Sequence, residues 1–122
     1  MKASRIHVAI VDDDDSVRKA LSRLLRSAGM DPEGFESGEA FLQSLGTRQP
    51  DCLLVDVCMP GMDGAELLKH LAELGYSVPA IVITAHDSET VRETFLAAGA
   101  RALLLKPLDD EVLLRAVRTA NA

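Results

Sequence analysis

Aromatic side chains are nearly absent: the 122 residues hold no tryptophan, one tyrosine and three phenylalanines. Since 48% of the residues are nonetheless hydrophobic, the core must be packed from Val, Leu, Ile and Ala. Cysteine is also scarce. Cys52 and Cys58 are too few for a disulfide framework and stand on or just past one apolar run, so they read as reduced thiols in a cytoplasmic protein. His7, His70 and His86 are scattered without ligand spacing, which argues against zinc. No apolar run approaches the roughly 18 residues of a membrane span. The amino-terminal MKASRIHVAIVDDDD meets acids at once and has no small-residue cleavage site, so a first strand is expected there and not a secretory signal. Basic charge is in deficit, 13 Lys and Arg against 19 Asp and Glu, and the net charge of −6 argues against this chain gripping nucleic acid by itself. Repeats, low-complexity tracts and linkers are missing, and the length suits one domain with one core.

What is present is organised around Asp51 to Gly64, DCLLVDVCMPGMDG. Cys52-Leu53-Leu54-Val55 reads as a buried strand that ends abruptly in Asp56, followed by a Met59-Pro60-Gly61 turn and Asp63-Gly64. Three other apolar runs end in the same manner. His7 to Val11 gives way to Asp12-Asp13, Ala80 to Ile83 to Thr84, and Ala102 to Leu105 to Lys106. If these strands lie parallel, all four polar endings meet at one edge of one sheet, where open parallel sheets bind ligands.

The rest of the chain supports that arrangement. Ser16 to Gly29 reads as a helix with Val17, Leu21, Leu24, Leu25 and Ala28 inward, Arg18, Lys19, Arg23 and Arg26 outward, and Asp14, Asp15 or Ser16 as cap. A weak strand is expected around Glu33 to Glu36, held by Phe35, and then a helix from Ser37 to Leu45. Further helices are expected from Gly64 to Leu74 through Leu67, Leu68, Leu71 and Leu74, from Asp87 to Ala98 around Val91 and Phe95, and from Asp110 to Ala120 with Val112, Leu113, Ala116 and Val117 inward. Five alternations of strand and helix with short joints specify an α/β fold, a parallel sheet covered on both faces.

Asp12, Asp13 and Asp56 at one edge would repel one another unless a cation sat among them. An all-oxygen site of two or three carboxylates plus water suits Mg²⁺ better than zinc. Thr84 and Lys106 add a hydroxyl and a fixed positive charge, so a phosphoryl group would balance the site. Phosphoryl transfer depends mainly on positioning and charge neutralisation, and Asp56, alone at the central strand, is the candidate nucleophile.

Taken together, Asp12-Asp13 after the first strand, Asp56 in VDVCMPGMDG, Thr84-Ala85 after the fourth and Lys106-Pro107 after the fifth resemble the receiver domain of two-component response regulators. The likeness runs from about Arg5 to Ala120, so residues 1–122 are expected to be one receiver domain. It implies a CheY-like, flavodoxin-like three-layer sandwich, with five parallel strands in the order 2-1-3-4-5 and five helices. It implies that Asp56 accepts a phosphoryl group from a sensor histidine kinase and that the chain is not an enzyme beyond its own phosphorylation and dephosphorylation. Asp13 and Asp56 would ligate Mg²⁺ directly, or Mn²⁺ in its place, with the Cys58 backbone carbonyl as a third ligand and Asp12 acting through water. Lys106 would pair with the phosphoryl group, Thr84 would turn inward to bond it, and the Lys106-Pro107 peptide would be cis. Cys58 and His86, two positions after Asp56 and Thr84, would tune phosphoryl lifetime. IVDDDDSVRKAL, VDVCMPGMDGAELL and VITAH resemble the FixJ-like subgroup, whose receivers usually precede a LuxR-type helix-turn-helix. Such a carboxy-terminal domain would bind DNA and control transcription, and phosphorylation would favour a homodimer through the fourth helix and fifth strand.

Two departures bear on switching. Leu103 stands where the family usually has an inward-swinging Tyr or Phe, and Leu108 where Phe usually follows Lys-Pro. A different likeness is thinner: Asp12 to Ser16, Thr84, Lys106 and Asp109-Asp110 resemble the motifs of haloacid-dehalogenase-type phosphatases, with Asp12 as nucleophile and Asp14 as acid. That reading leaves no room for the insertion those enzymes carry and gives Asp56 no role. A scaffold that only binds partners would not need the complete set of acids, hydroxyl and amine.

Overall fold

The computed structural model describes residues 5–121 apart from 58, 60 and 87. Strands and helices alternate as β1 (His7–Val11), α1 (Asp15–Ser27), β2 (Asp31–Phe35), α2 (Gly38–Ser44), β3 (Cys52–Asp56), α3 (Gly64–Glu73), β4 (Ala80–Thr84), α4 (Glu89–Ala97), β5 (Ala102–Leu105) and α5 (Asp110–Ala120). All four strand pairings are parallel and the order across the sheet is β2-β1-β3-β4-β5.

Successive side chains of a strand point to opposite faces, and here each face has its own core. Val8, Ile10, Leu54, Ile81 and Ile83 meet Leu21 and Leu25 of α1 and Leu113 and Val117 of α5. Ala9, Val11, Leu53, Val55 and Val82 meet Phe41 of α2, Leu67 and Leu71 of α3 and Phe95 of α4. The three central strands are covered on both sides, which is why they read as unbroken apolar runs.

Each helix begins at a side-chain cap, a contact typically stabilising by about 1 kcal/mol. Asp14 accepts from the Ser16 and Val17 amides, Ser37 from Ala40, Ser88 from Val91 and Asp109 from Val112. Asp63 and Glu66 form a reciprocal capping box at α3. Gly29 and Gly75 turn the chain out of α1 and α3 at φ of 81° and 83°, a conformation other residues adopt at a cost.

Some boundaries differ from those the sequence suggests. β2 starts at Asp31, two residues early, because Pro32 and Gly34 hide the apolar alternation. Pro32 is tolerated because β2 is an edge strand, and Phe35 packs edge-on against Phe41 at 5.4 Å. α1 starts at Asp15, capped by Asp14 alone, while the Asp15 carboxylate pairs with Arg18 and Lys19. α4 starts at Glu89, and Asp87 lies outside the described residues. Leu74 (60% exposed) and Val112 (46%), expected inward, are exposed, the first at the C-cap of α3 and the second in the first turn of α5.

Leu54 is wholly buried in β3. Leu54→Ala should lower the unfolding free energy by about 3 kcal/mol, measured by urea denaturation, whereas Leu74→Ala should change it by less than about 0.5 kcal/mol.

Candidate functional site

Strand register assembles the site. Val11 pairs with Val55, Asp56 with Ile83 and Thr84 with Leu105. Asp12 therefore emerges level with Asp56, Thr84 stands one row further along, and Lys106 follows Leu105. The expected convergence is present: one carboxylate oxygen from each of Asp12, Asp13 and Asp56 lies within 4.8 Å of the others, and Lys106 Nζ is 3.4 Å from Asp56 Oδ1.

Asp12 is 3% exposed and Asp56 8%, while Asp13 is open to solvent. Burial pushes the Asp56 carboxyl above its ordinary range, Lys106 opposes this, and the charge of Asp13 adds to it. Burial likewise raises Asp12, opposed by the Asp14 N–H that donates to its Oδ1 at 2.9 Å and reinforced by Asp56. Two unit charges some 4.8 Å apart repel by on the order of 3 kcal/mol at a near-surface dielectric. Three carboxylates and one ammonium leave a local charge of −2. A hard divalent cation on these oxygens matches both the charge and the donor chemistry.

Thr84 is buried, but its hydroxyl is engaged in its own loop. Oγ1 accepts from the His86 N–H at 3.0 Å and donates to the His86 carbonyl at 3.2 Å. The expected hydroxyl is thus beside the acids in register and bonded away from them. Leu103 pairs with Val82 and packs, half-buried, against the α2–α4 side of the core. The Lys106-Pro107 peptide is cis. Cys58, named as a carbonyl ligand, lies outside the described residues.

Two contributors went unseen in the sequence. Gly64 begins α3 so close to the site that a Cβ there would fall 3.1 Å from the Asp56 carbonyl oxygen and 3.2 Å from Phe95 Cε1. Its signal was the DG pair before a helical pattern, which marks a turn but not what the turn touches. Arg18, placed on the solvated face of α1, instead donates to the Asp12 carbonyl.

The phosphatase-like reading fails on Asp14. Its carboxylate accepts from the Ser16 hydroxyl and from the Ser16 and Val17 amides, and these bonds lower its pKa, the reverse of what a general acid needs. Asp109 is likewise occupied as the cap of α5.

The family model for the response regulator receiver domain matches residues 8–118. The chain is 42% identical over 113 residues to the response regulator protein TmoT of Ectopseudomonas mendocina, covering 93% of this chain and 51% of that one. It is 44% identical over 100 residues to the DNA-binding transcriptional regulator NtrC of Klebsiella pneumoniae, covering 82% of this chain and 21% of NtrC. The chain therefore spans about half of TmoT and about a fifth of NtrC. Among solved structures, FixJ-N superposes with a TM-score of 0.90 at 35% identity, covering 98% of this chain and 95% of that one. A matched model over nearly the whole length, relatives of this identity and an acid cluster set against Lys106 agree: the chain belongs to the response regulator receiver domain family.

Proposed function

We propose that the chain is the phosphoacceptor of a two-component relay, with Asp56 taking a phosphoryl group from the phosphohistidine of a sensor histidine kinase. The observation that carries this is the Lys106 ammonium 3.4 Å from Asp56 Oδ1, beside two further carboxylates. Mg²⁺, or Mn²⁺ in its place, would be held by Asp13, Asp56 and the Cys58 carbonyl, with Asp12 acting through water. The ion would supply charge neutralisation for the incoming phosphoryl oxygens.

Asp56 attacks phosphorus with a carboxylate oxygen. The P–N bond breaks, its electron pair returns to the imidazole nitrogen, and an acyl phosphate forms. Lys106 pairs with the new dianion, which is why an ammonium at this place matters more than a neutral donor. The chain is not an enzyme in the wider sense, since it acts on itself alone. An apolar groove of about 690 Å³, lined by Val17, Leu21 and Leu24 of α1 and by Lys106, Pro107 and Leu108, opens beside the site and offers the kinase a seat.

Switching starts at Thr84. Its hydroxyl gives up a neutral bond to His86, worth about 1 kcal/mol net, for a charge-assisted bond to the phosphoryl group, about twice as strong. That loosens the loop leading to Ser88, the cap of α4. Leu103 then adjusts its packing without an aromatic swing, and Pro107 holds the Lys106 loop. The altered α4–β5 surface supports a homodimer and controls a transcriptional output domain outside this chain, the reading favoured by the DNA-binding relative. The setting is cytoplasmic; among the described residues no helix is long and apolar enough to cross a membrane.

Incubation with acetyl phosphate and Mg²⁺ should place a phosphoryl label on Asp56, found by mass spectrometry, and Asp56→Asn should abolish it; label on Asp12 instead would revive the phosphatase reading, and no label the scaffold. Beryllofluoride with Mg²⁺ should shift the amide resonances of α4 and β5, and an unmoved α4 would remove the switching pathway. Stability should also respond to pH in a defined direction. Because the Asp56 carboxyl is raised in the folded state, ionising it weakens the fold as pH climbs past the ordinary value of 3.8. Asp56→Asn should therefore raise the melting temperature of the metal-free protein at pH 7 by a few degrees, about 1 kcal/mol corresponding to about 4 °C at this size. That gain should vanish below the ordinary carboxylate range, and Mg²⁺ should stabilise the wild type more than the variant.

A further inference from the structure

We infer that Arg18 is a positioning residue for the acid cluster: it clasps the main chain that carries Asp12 and Asp13, and Gly34 of β2 is the gap through which its stem passes. This rests on the metal reading above.

Arg18 Nη1 donates to the Asp12 carbonyl oxygen at 2.6 Å, and Nη2 to Asp15 Oδ1 at 3.0 Å. The Asp12 carbonyl lies one residue beyond the end of β1, where the sheet ladder has ended and a buried acceptor needs another donor. On the other side of the same residue, the Asp12 N–H donates to the Phe35 carbonyl at 3.1 Å. Asp12 Oδ1 is held by the Asp14 N–H. Asp12 is thus gripped at its amide, its carbonyl and its carboxylate, and at the carbonyl the donor is a guanidinium cation, which makes that bond charge-assisted.

The neighbouring basic residue shows that this is not a general property of the α1 surface. Lys19 is 73% exposed and, among the described residues, pairs with Asp15, whereas the Arg18 side chain is 18% exposed. A Cβ at Gly34 would lie 3.3 Å from Arg18 Cδ, closer than ordinary contact. Glycine weakens a strand interior, and the stem lying over it accounts for its presence. Without the clasp the Asp12–Asp13 peptide loses the partner of its carbonyl while the amide and carboxylate of Asp12 stay bonded, and Asp13 is held less firmly in the 4.8 Å grouping with Asp56. Metal affinity depends on such outer partners, whose loss typically weakens it 10–100-fold.

The test is titration of the whole chain with Mn²⁺, following free ion by electron paramagnetic resonance, with thermal melts alongside. Arg18→Met keeps the stem and removes both donors, and its Mn²⁺ affinity should fall by about tenfold. Arg18→Lys keeps one donor and should recover part of the loss, and Asp15→Asn, which leaves the bond to the Asp12 carbonyl, should bind as the wild type does. Gly34→Val gains strand propensity but fills the gap, so it should bind Mn²⁺ more weakly even where it melts no lower. Wild-type affinity in both Arg18→Met and Gly34→Val, whatever their stability, would overturn the inference. Should Arg18→Met not fold, Arg18→Lys and Gly34→Val decide by the same measurement. A wild-type chain that binds no Mn²⁺ would instead overturn the metal reading itself.

Discussion

Three carboxylates share one sheet edge with a single ammonium, and two of the three are buried. Left to itself such a group would disperse, because each pair repels and burial removes the water that would screen it. It stays together because the positions are imposed by strand register and not by attraction among the groups. Asp56 is the last residue of β3, Asp12 the first after β1, and both strands are bonded in parallel between further strands. The cores on the two faces of the sheet supply the stability against which this repulsion is set, as expected of a fold that sacrifices some stability for a working site.

The edge is held unequally from side to side. On the β1 side Asp12 is fixed at three atoms, and the helix that follows is capped immediately by Asp14. Beneath β3 the main chain of Asp56 lies so near Gly64 that a Cβ there would be crowded at 3.1 Å from the Asp56 carbonyl oxygen. On the β4 side, among the described residues, the Thr84 hydroxyl bonds the loop through His86. Neutral bonds of this kind contribute about 1 kcal/mol, within reach of a ligand that offers a better acceptor. The firm side suits holding an ion in place; the weak side suits being changed by what arrives.

How much of this was legible before any coordinates depends on which signal each element carries. The three central strands are buried on both faces, so composition alone marked them, and the polar residue at each end marked the site. β2 was misplaced because a proline and a glycine occupy its five residues, Asp31–Phe35, and erase the alternation. Leu74 and Val112 fit the helical period, yet they stand in the last and first turns of their helices, where the period does not say how much of an apolar side chain its neighbours cover. Thr84 was found by position but not by bonding, since a hydroxyl with a neighbouring amide in reach will use it. Arg18 was invisible for a related reason. Helical spacing groups it with Lys19, Arg23 and Arg26, and only the path of the loop after β1 brings the Asp12 carbonyl under its guanidinium. Family likeness supplied the strand order and the cis peptide, which no periodicity in these residues encodes.

The leucine at position 103 narrows how the site can be read from outside. An aromatic residue with a polar tip can occupy two distinct places, one wet and one buried, and so report a change by moving between them. Leucine has no such second partner; Leu103 already packs half-buried against the core on the α2–α4 side. Any change at Asp56 must therefore travel through main chain and core, and α4 meets the site by both routes. Its cap, Ser88, follows the loop closed by Thr84, while Phe95 reaches under the sheet edge to the place where Gly64 leaves space beside the Asp56 carbonyl. The helix is thus capped at its start by Ser88 and packed near its far end through Phe95. Under the switching proposed for Thr84, loosening the first contact would pivot α4 about the second, without any side chain crossing from solvent to core.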